Sequence, residues 1–389
     1  MASYRETPYG IEVTVYKGRD KTGKNVREYK TFKTKKEAER WAAEQLLIND
    51  RMVNLDDSRM KLKDFMEKWY KDIGSKKSIN TAYNSKSRMD HHIIPDIGHY
   101  PLNKLTPLVI QDFYNGLDEK GLAASSKKKI METLSNALRY ALKLRLIPYL
   151  PTDIEKEPVT RGKIIYWTVE ELNLFLDYVK DNWLYVPVFM LSMTGMRPAE
   201  MMGLQWKKID LENRIIEIDS QVIYDKESKK LVLTDILKTE LSGRIITIPT
   251  ALSETLRELK NRTQYNKPND FVITTREGSM SSADTLRTMF NKYVKKLRKE
   301  QLIALIKEGH SAEDAEDMLI TEMPPYNLRH THATMLLNNN ENIKVISERL
   351  GHKSIKTTLD TYATVMPKSR SKTADLLDEL MRREEKDGK

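Results

Sequence analysis

Three prolines, Pro148, Pro151 and Pro158, stand close together around the charged run Asp153-Ile-Glu-Lys-Glu157. Proline stops helices and restricts the residue before it to extended backbone, so this stretch reads as a linker that no single core can span. A second break is the short polar stretch Asn54-Leu-Asp-Asp-Ser-Arg59. A chain of 389 residues with 39% hydrophobic content can fill several cores. The two breaks predict three domains, at residues 1–54, 60–155 and 163–389.

The segments differ in hydrophobic period. Residues 10–17 alternate apolar and polar, a turn cluster follows at Arg19-Asp-Lys-Thr-Gly-Lys24, and residues 26–32 are again extended, which predicts a β-hairpin. From Thr34, with Glu37 behind it as in a capping box, a helix is expected through Ala38, Trp41, Ala42 and Leu46. A small sheet backed by one helix can offer its polar face to a DNA major groove.

The middle segment reads as all-helical. Helical spacing links Leu62, Phe65, Met66 and Trp69, and then runs over Tyr83 to Ile93, Pro107 to Leu117 and Ser125 to Leu144. Lys76 and Lys77 precede one helix, and Lys127, Lys128 and Lys129 follow a Ser125-Ser126 cap. Lysines at helix N-termini suit phosphate contacts. The last segment mixes helices with strands around Arg214–Asp219, Gln221–Tyr224 and Ile245–Pro249. The expected class is therefore α+β and mostly helical: a small N-terminal sheet with a helix, a helical domain, and a mixed α/β domain.

Charge and composition narrow the partners. Lys and Arg number 66 against 56 Asp and Glu, a net charge of +10, which favours a polyanion. No stretch approaches the ~20 apolar residues of a membrane span, and the start, Met1-Ala-Ser-Tyr-Arg-Glu-Thr-Pro8, lacks the apolar core of a signal peptide. A cytoplasmic location without membrane contact is expected. The absence of cysteine excludes disulfides, thiolate nucleophiles and thiolate metal sites, leaving hydroxyl, amine or carboxylate for any covalent chemistry.

Three segments could carry that chemistry. In Thr194-Gly-Met-Arg197-Pro-Ala-Glu200-Met-Met-Gly-Leu204, an apolar helix ends near Gly195 and a new one starts at Pro198, so Arg197 sits in the corner between them. Its guanidinium could grip a phosphate through paired hydrogen bonds, or form an interhelical salt bridge with Glu200. In Tyr326-Asn-Leu-Arg329-His330-Thr-His332-Ala-Thr334, Arg329 and His332 lie three apart and could converge on one anion. The two histidines are two apart, a spacing that does not put both rings on one side of a helix, and no metal site is expected. In the third, Gly351 fits a helix C-cap, leaving His352 on a turn and Tyr362 on the next helix. Taken alone, Tyr362 reads more readily as a packed amphipathic side chain than as a nucleophile.

In order, Thr-Gly-x-Arg-x-x-Glu-x-x-Gly-Leu, then Leu-Arg-His-Thr-His-Ala-Thr, then Leu-Gly-His-x-Ser with Tyr-Ala ten residues beyond the histidine, resemble the phage integrase family of tyrosine recombinases. The match covers the last domain closely, and the segmentation before it resembles the longer three-domain integrases of phages and conjugative transposons. The resemblance implies an arm-type DNA-binding domain, a core-type DNA-binding domain and a catalytic domain. It implies that Arg197 and Arg329 clamp the scissile phosphate, that His352 hydrogen-bonds to it, and that Tyr362 attacks it to give a 3′-phosphotyrosyl bond and a free 5′-hydroxyl. It assigns protonation of the leaving oxygen to Lys238, between two strands, while Lys229, Lys230 and other lysines are candidates by composition. No metal or cofactor is implied.

One position departs from the pattern. The second box of the family usually begins His-x-x-Arg, and here it begins Tyr326-Asn-Leu-Arg329. A phenol with a pKa of ~10 is a poor proton acceptor at neutral pH, although it can donate a hydrogen bond to phosphate. General-base help to Tyr362 is then left to His352 or His332, or to positioning alone.

Beyond Tyr362, Leu376, Leu377, Leu380 and Met381 share one helical face. The resemblance implies that such a tail docks on a neighbouring protomer in a homo-tetramer on double-stranded attachment sites, with accessory DNA-bending or excision proteins; packing on its own domain is the alternative. Two rival functions are a DNA-binding regulator without turnover and a metal-dependent nuclease. For the second, Glu313-Asp-Ala-Glu-Asp317 is the only local acidic run, and it reads better as a solvated helix face.

Overall fold

The computed structural model describes residues 2–19, 25–51, 59–159, 162–235, 243–363 and 378. The chain divides into two compact units, residues 1–161 and 162–389. It is α+β and mostly helical.

In the first unit, β1 (Ala2–Thr7), β2 (Gly10–Arg19) and β3 (Asn25–Phe32) form an antiparallel sheet in that order. The expected hairpin is β2–β3, and β1 is added to it. Its residues Ala-Ser-Tyr-Arg-Glu-Thr show no apolar alternation, because an edge strand that is mostly exposed does not need one. Thr34 caps α1 (Lys35–Arg51), its hydroxyl accepting from the Glu37 N–H at 3.4 Å. Val13 and Val15 point to the same face of the sheet and bury against Ala38 and Ala42, while Tyr29 lies 71% exposed. Of the expected turn at residues 19–24, all but Arg19 lies outside the described residues.

A second core in this unit is wholly helical, built from α2 (Leu62–Trp69), α3 (Ile79–Arg88), α4 (Ile94–Ile97), α5 (Pro107–Glu119) and α6 (Ala124–Lys143). Leu62, Phe65, Met66 and Trp69 are all buried, as their spacing predicts. Thr106 caps α5 and Pro107 fills its first turn. The cap of α6 is Ala123, so Ser125 and Ser126 fall within the first turn instead of before it.

The second unit carries the mixed architecture. In order, it holds α7 (Val169–Tyr178), α8 (Tyr185–Thr194), α9 (Pro198–Met202), β4 (Ile209–Asp210), β5 (Ile215–Ile218), β6 (Ser220–Asp225), β7 (Lys230–Asp235) and β8 (Arg244–Thr247). It continues with α10 (Thr250–Arg262), α11 (Ala283–Lys307), α12 (Ala312–Asp317), α13 (Leu328–Asn338), α14 (Ile343–Leu350) and α15 (Ile355–Tyr362). The sheet runs β4-β5-β8, all antiparallel, and β6 and β7 form a separate hairpin. Ile216 faces Ile246 across the sheet and both are buried. Trp167, Phe175 and Phe290 form an aromatic cluster with ring centroids 5.0–5.3 Å apart. Residues 236–242, and with them Lys238, lie outside the described residues, as does the tail face at Leu376, Leu377, Leu380 and Met381. No helix among the described residues is long and apolar enough to cross a membrane.

Candidate active site

The site is assembled from helix ends. Helix α8 stops at Gly195, whose φ of 65° is a left-handed conformation that a side chain would strain. The chain turns through Arg197, and α9 opens with Pro198. From the first turn, Glu200 reaches back to accept the Arg197 N–H at 2.9 Å and its Nη1 at 2.6 Å. Both readings of Arg197 are thus visible in part: the salt bridge is present, and the side chain remains 37% exposed.

Glu200 itself is buried, and its other oxygen accepts from Arg244 Nη2 at 2.7 Å. Burial pushes this carboxyl up, but Arg244 and then Arg197 outweigh it and hold it below the usual carboxylate range. Arg244 also donates from Nε to the Arg349 carbonyl at 2.7 Å, so one guanidinium ties α9 to the end of α14. Nothing in the alternation of β8 marks Arg244 as different from any other strand residue. Its partner at position 349 is 105 residues away, and only the fold reveals it.

Arg329, in the first turn of α13, is 2% exposed. Its Nη1 donates to the Gly195 carbonyl at 2.8 Å and its Nη2 to the Leu350 carbonyl at 2.5 Å, so it bridges the C-terminal ends of α8 and α14. Cations suit those negative helix ends. Burial, with Arg197 and Arg244 nearby, lowers its pKa to about 10, which still leaves it charged at neutral pH. Three guanidinium groups therefore share one field.

The histidines divide by position. His332, three residues beyond Arg329, does not join it on a common anion. Its Nδ1 donates to the Ser192 carbonyl at 2.8 Å, its Nε2 faces Arg349 Nε at 3.4 Å, and the ring is 4% exposed. Burial first, then Arg349, lowers its pKa to about 4. Both nitrogens are occupied, and the expectation that His332 helps the nucleophile is corrected: it packs the corner at Gly195. His352 follows Gly351, the left-handed C-cap of α14, and its Nδ1 lies 2.7 Å from the Thr358 hydroxyl. Burial, then Arg329, Arg197 and Arg244, lowers its pKa to about 4, so it is neutral at pH 7.

Tyr362 ends α15. Its ring is 1% exposed and packs with Ala333, Leu337, Ile346 and Leu350. Its hydroxyl lies 2.9 Å from Nδ1 of His330, with the rings 5.6 Å apart. Burial pushes the phenol up, and Arg329 pulls it back in part. Tyr326 is 45% exposed and meets the other side of His330 edge-on at 5.8 Å. His330 had no role in the sequence reading beyond the discarded metal pair, because its contact with Tyr362 is made across two helices.

The lysines of the first unit also separate. Lys127 is 1% exposed and is paired with Asp118 and, at 2.7 Å, with Glu157, which together hold its pKa above the ordinary range. It cannot reach a phosphate from there, and that expectation is corrected. Lys76, Lys128 and Lys129 are exposed, and Lys77 lies over the Trp69 ring at 5.4 Å. Among the described residues no three acidic or histidine side chains group as metal ligands. In the acidic run, Glu313 and Asp314 fill the first turn of α12, and Glu316 pairs with Arg298.

A family model for the phage integrase family matches residues 167–368, one for its N-terminal SAM-like domain matches 61–117, and one for an arm DNA-binding domain matches 5–47. The chain belongs to the phage integrase family. It is 27% identical to the ICEBs1 integrase of Bacillus subtilis (strain 168), over 78% of each chain. It is 26% identical to a XerC-like tyrosine recombinase of Caldanaerobacter subterraneus, over 96% of each. The fold is similar to that of the Tn1549 transposon integrase, solved in complex with a circular intermediate DNA: the TM-score is 0.68 at 21% identity, covering 83% of this chain and 99% of that one. The protein is a DNA-binding tyrosine recombinase of the integrase type found in phages and conjugative transposons.

Proposed function

We propose that Tyr362 attacks the scissile phosphate, that Arg197 and Arg329 bind its non-bridging oxygens, and that a 3′-phosphotyrosyl bond holds the DNA end until a 5′-hydroxyl reverses the step. The observation that carries this reading is electrostatic. The Tyr362 hydroxyl lies in the field of Arg329, which lies in turn in the fields of Arg197 and Arg244. Fixed cations at the point where phosphorane charge develops are the largest single contribution such a site can make. Neutral His352 is suited to donate one hydrogen bond there, and Glu200 holds Arg197 and Arg244 in place. Lys238 is assigned as the proton donor to the leaving 5′-oxygen on the family pattern. Tyr326 has room to donate a hydrogen bond to a phosphate oxygen. No metal, cofactor or nucleotide is required, because the phosphotyrosyl ester conserves the energy of the broken phosphodiester.

The same reading assigns residues 1–54 to arm-type DNA, 60–155 to core-type DNA and 163–389 to catalysis and the tail. Exposed Lys76, Lys128 and Lys129, with Lys77, contact phosphates. The substrates are the attachment sites of a mobile element in the cytoplasm, both integration and excision being served. A homo-tetramer linked by its tails, with accessory DNA-bending or excision proteins, is the working assembly.

Covalent capture tests it. The protein is incubated with chelator and DNA from the flanks of its own gene, then quenched with detergent. An adduct is expected with the wild type and none with Tyr362→Phe; an adduct that persists in the variant overturns the assignment.

A further inference from the structure

We infer that His330 takes the proton from Tyr362 as the phenol attacks, which makes it a catalytic residue of this chain and fills the place left by Tyr326. The inference rests on the proposed role of Tyr362 and deepens it.

The argument is one of reach and availability. Among the described residues, the His330 ring supplies the imidazole nitrogen within hydrogen-bond distance of the nucleophile, at 2.9 Å. A general base must have that contact before its pKa matters. His332 has both nitrogens turned elsewhere, to Ser192 and Arg349. His352 has Nδ1 on Thr358. Tyr326 meets the imidazole edge-on.

The surroundings of His330 keep its Nδ1 lone pair free. The groups facing it are Tyr326 from the turn before α13, Arg329 from its own helix, His352 from the turn after α14, and Tyr362 from α15. None of them is a carboxylate. Burial and the adjacent Arg329 hold the imidazole below its ordinary range, which favours the neutral ring at pH 7; in the tautomer protonated at Nε2, Nδ1 accepts from Tyr362. Tyr362 in turn needs an acceptor, because burial makes its phenol harder to ionise.

The step balances. The Tyr362 oxygen forms its bond to phosphorus as its proton passes to Nδ1 of His330. The bond from phosphorus to the 5′-oxygen breaks, and that oxygen leaves with the electron pair and takes a proton from the lysine assigned above. In rejoining, the 5′-hydroxyl attacks and gives its proton back to that lysine, the bond from phosphorus to the Tyr362 oxygen breaks, and His330 returns its proton to the leaving phenolate.

The test uses two variants, His330→Ala and His330→Asn, the second able to keep a hydrogen bond to Tyr362 without the basicity. Single-turnover cleavage is followed on ordinary DNA and on DNA whose scissile 5′-oxygen is replaced by sulfur, a leaving group that needs no proton. Both variants are expected to slow cleavage of ordinary DNA by roughly a hundredfold or more. They are expected to stay as slow, relative to wild type, on the sulfur substrate, with DNA binding and melting temperature close to wild type for His330→Asn. Wild-type rates in His330→Asn would show that the contact only positions the phenol, and recovery on the sulfur substrate would put His330 on the leaving-group side; either result overturns the inference. Tyr362→Phe run in parallel separates the two levels. An adduct in that variant removes the nucleophile assignment itself, while loss of the adduct with unaffected His330 variants removes only the role of His330.

Discussion

A β-carbon on Gly195 would lie 2.6 Å from Cδ2 of the His332 ring and 2.9 Å from a methyl of Leu350. The glycine is therefore needed twice, for its left-handed backbone and for the space it leaves. Gly195→Ala is expected to cost about 1–2 kcal/mol in backbone strain and a further ~1–3 kcal/mol in crowding. Its carbonyl also receives Arg329, so cleavage should fall more than binding. Denaturant unfolding and single-turnover cleavage on the same preparation check both parts.

Removing Arg244 leaves the buried carboxylate of Glu200 with Arg197 as its remaining partner. Arg244→Ala should destabilise the catalytic unit by about 3–5 kcal/mol, the usual cost of breaking a buried ion pair. The pH dependence has a definite sign. In the wild type the Glu200 carboxyl is depressed below its ordinary 4.5, so its contribution is complete above that pH and is lost only as pH falls through the lower folded value. Without Arg244, burial meets less opposition and the carboxyl titrates higher than in the wild type. The stability gap between variant and wild type should be widest at neutral pH and narrow as the pH falls through the variant's higher folded value. Urea midpoints across that pH range measure it.

The hydroxyl of Thr358 lies 2.7 Å from Nδ1 of His352, on the same helix that carries Tyr362 one turn later. Thr358→Val keeps the shape and removes the hydrogen bond. Freed to rotate, the imidazole should misplace its Nε2, lowering cleavage by roughly tenfold to a hundredfold, with a stability loss of about 1–2 kcal/mol. Thr358→Ser should restore the rate. Equal rates in the valine and serine variants would remove the positioning role.

Lys127, Lys128 and Lys129 are consecutive and behave as opposites. Lys127→Met should lower the melting temperature of the first unit and leave the salt dependence of DNA binding unchanged, since its ammonium is already committed to Asp118 and Glu157. Lys128→Ala and Lys129→Ala should each leave stability intact and flatten the plot of log affinity against log salt by about 0.9. Binding titrations at several salt concentrations distinguish the three.

The burial of Lys127 is legible in the sequence. It stands three and four residues before Ile130 and Met131, on the stripe that continues to Leu134, and all of them are buried. Helix ends are legible where glycine and proline mark them, at Gly195, Pro198, Pro107 and Gly351, because the backbone requirement there is local. Strand β1 left no trace, since an exposed edge strand carries no hydrophobic period. Arg244 and His330 are illegible for a different reason: what distinguishes them is a partner 105 and 32 residues away, and no local window along the chain relates both ends of such a contact.

The bridge made by Arg329 bears on how members of this lineage can lose their activity. The guanidinium closes the ends of two helices through the carbonyls of Gly195 and Leu350, both of which would be left buried and unpaired without it. Mutational decay at Arg329 is thus opposed by folding as well as by the proposed chemistry. Tyr362 sits in an apolar cradle that a phenylalanine would fill, so under the proposed chemistry a silent descendant that still binds DNA is one substitution away there. Inactive copies of this protein in genomes should have lost the tyrosine and retained the arginine.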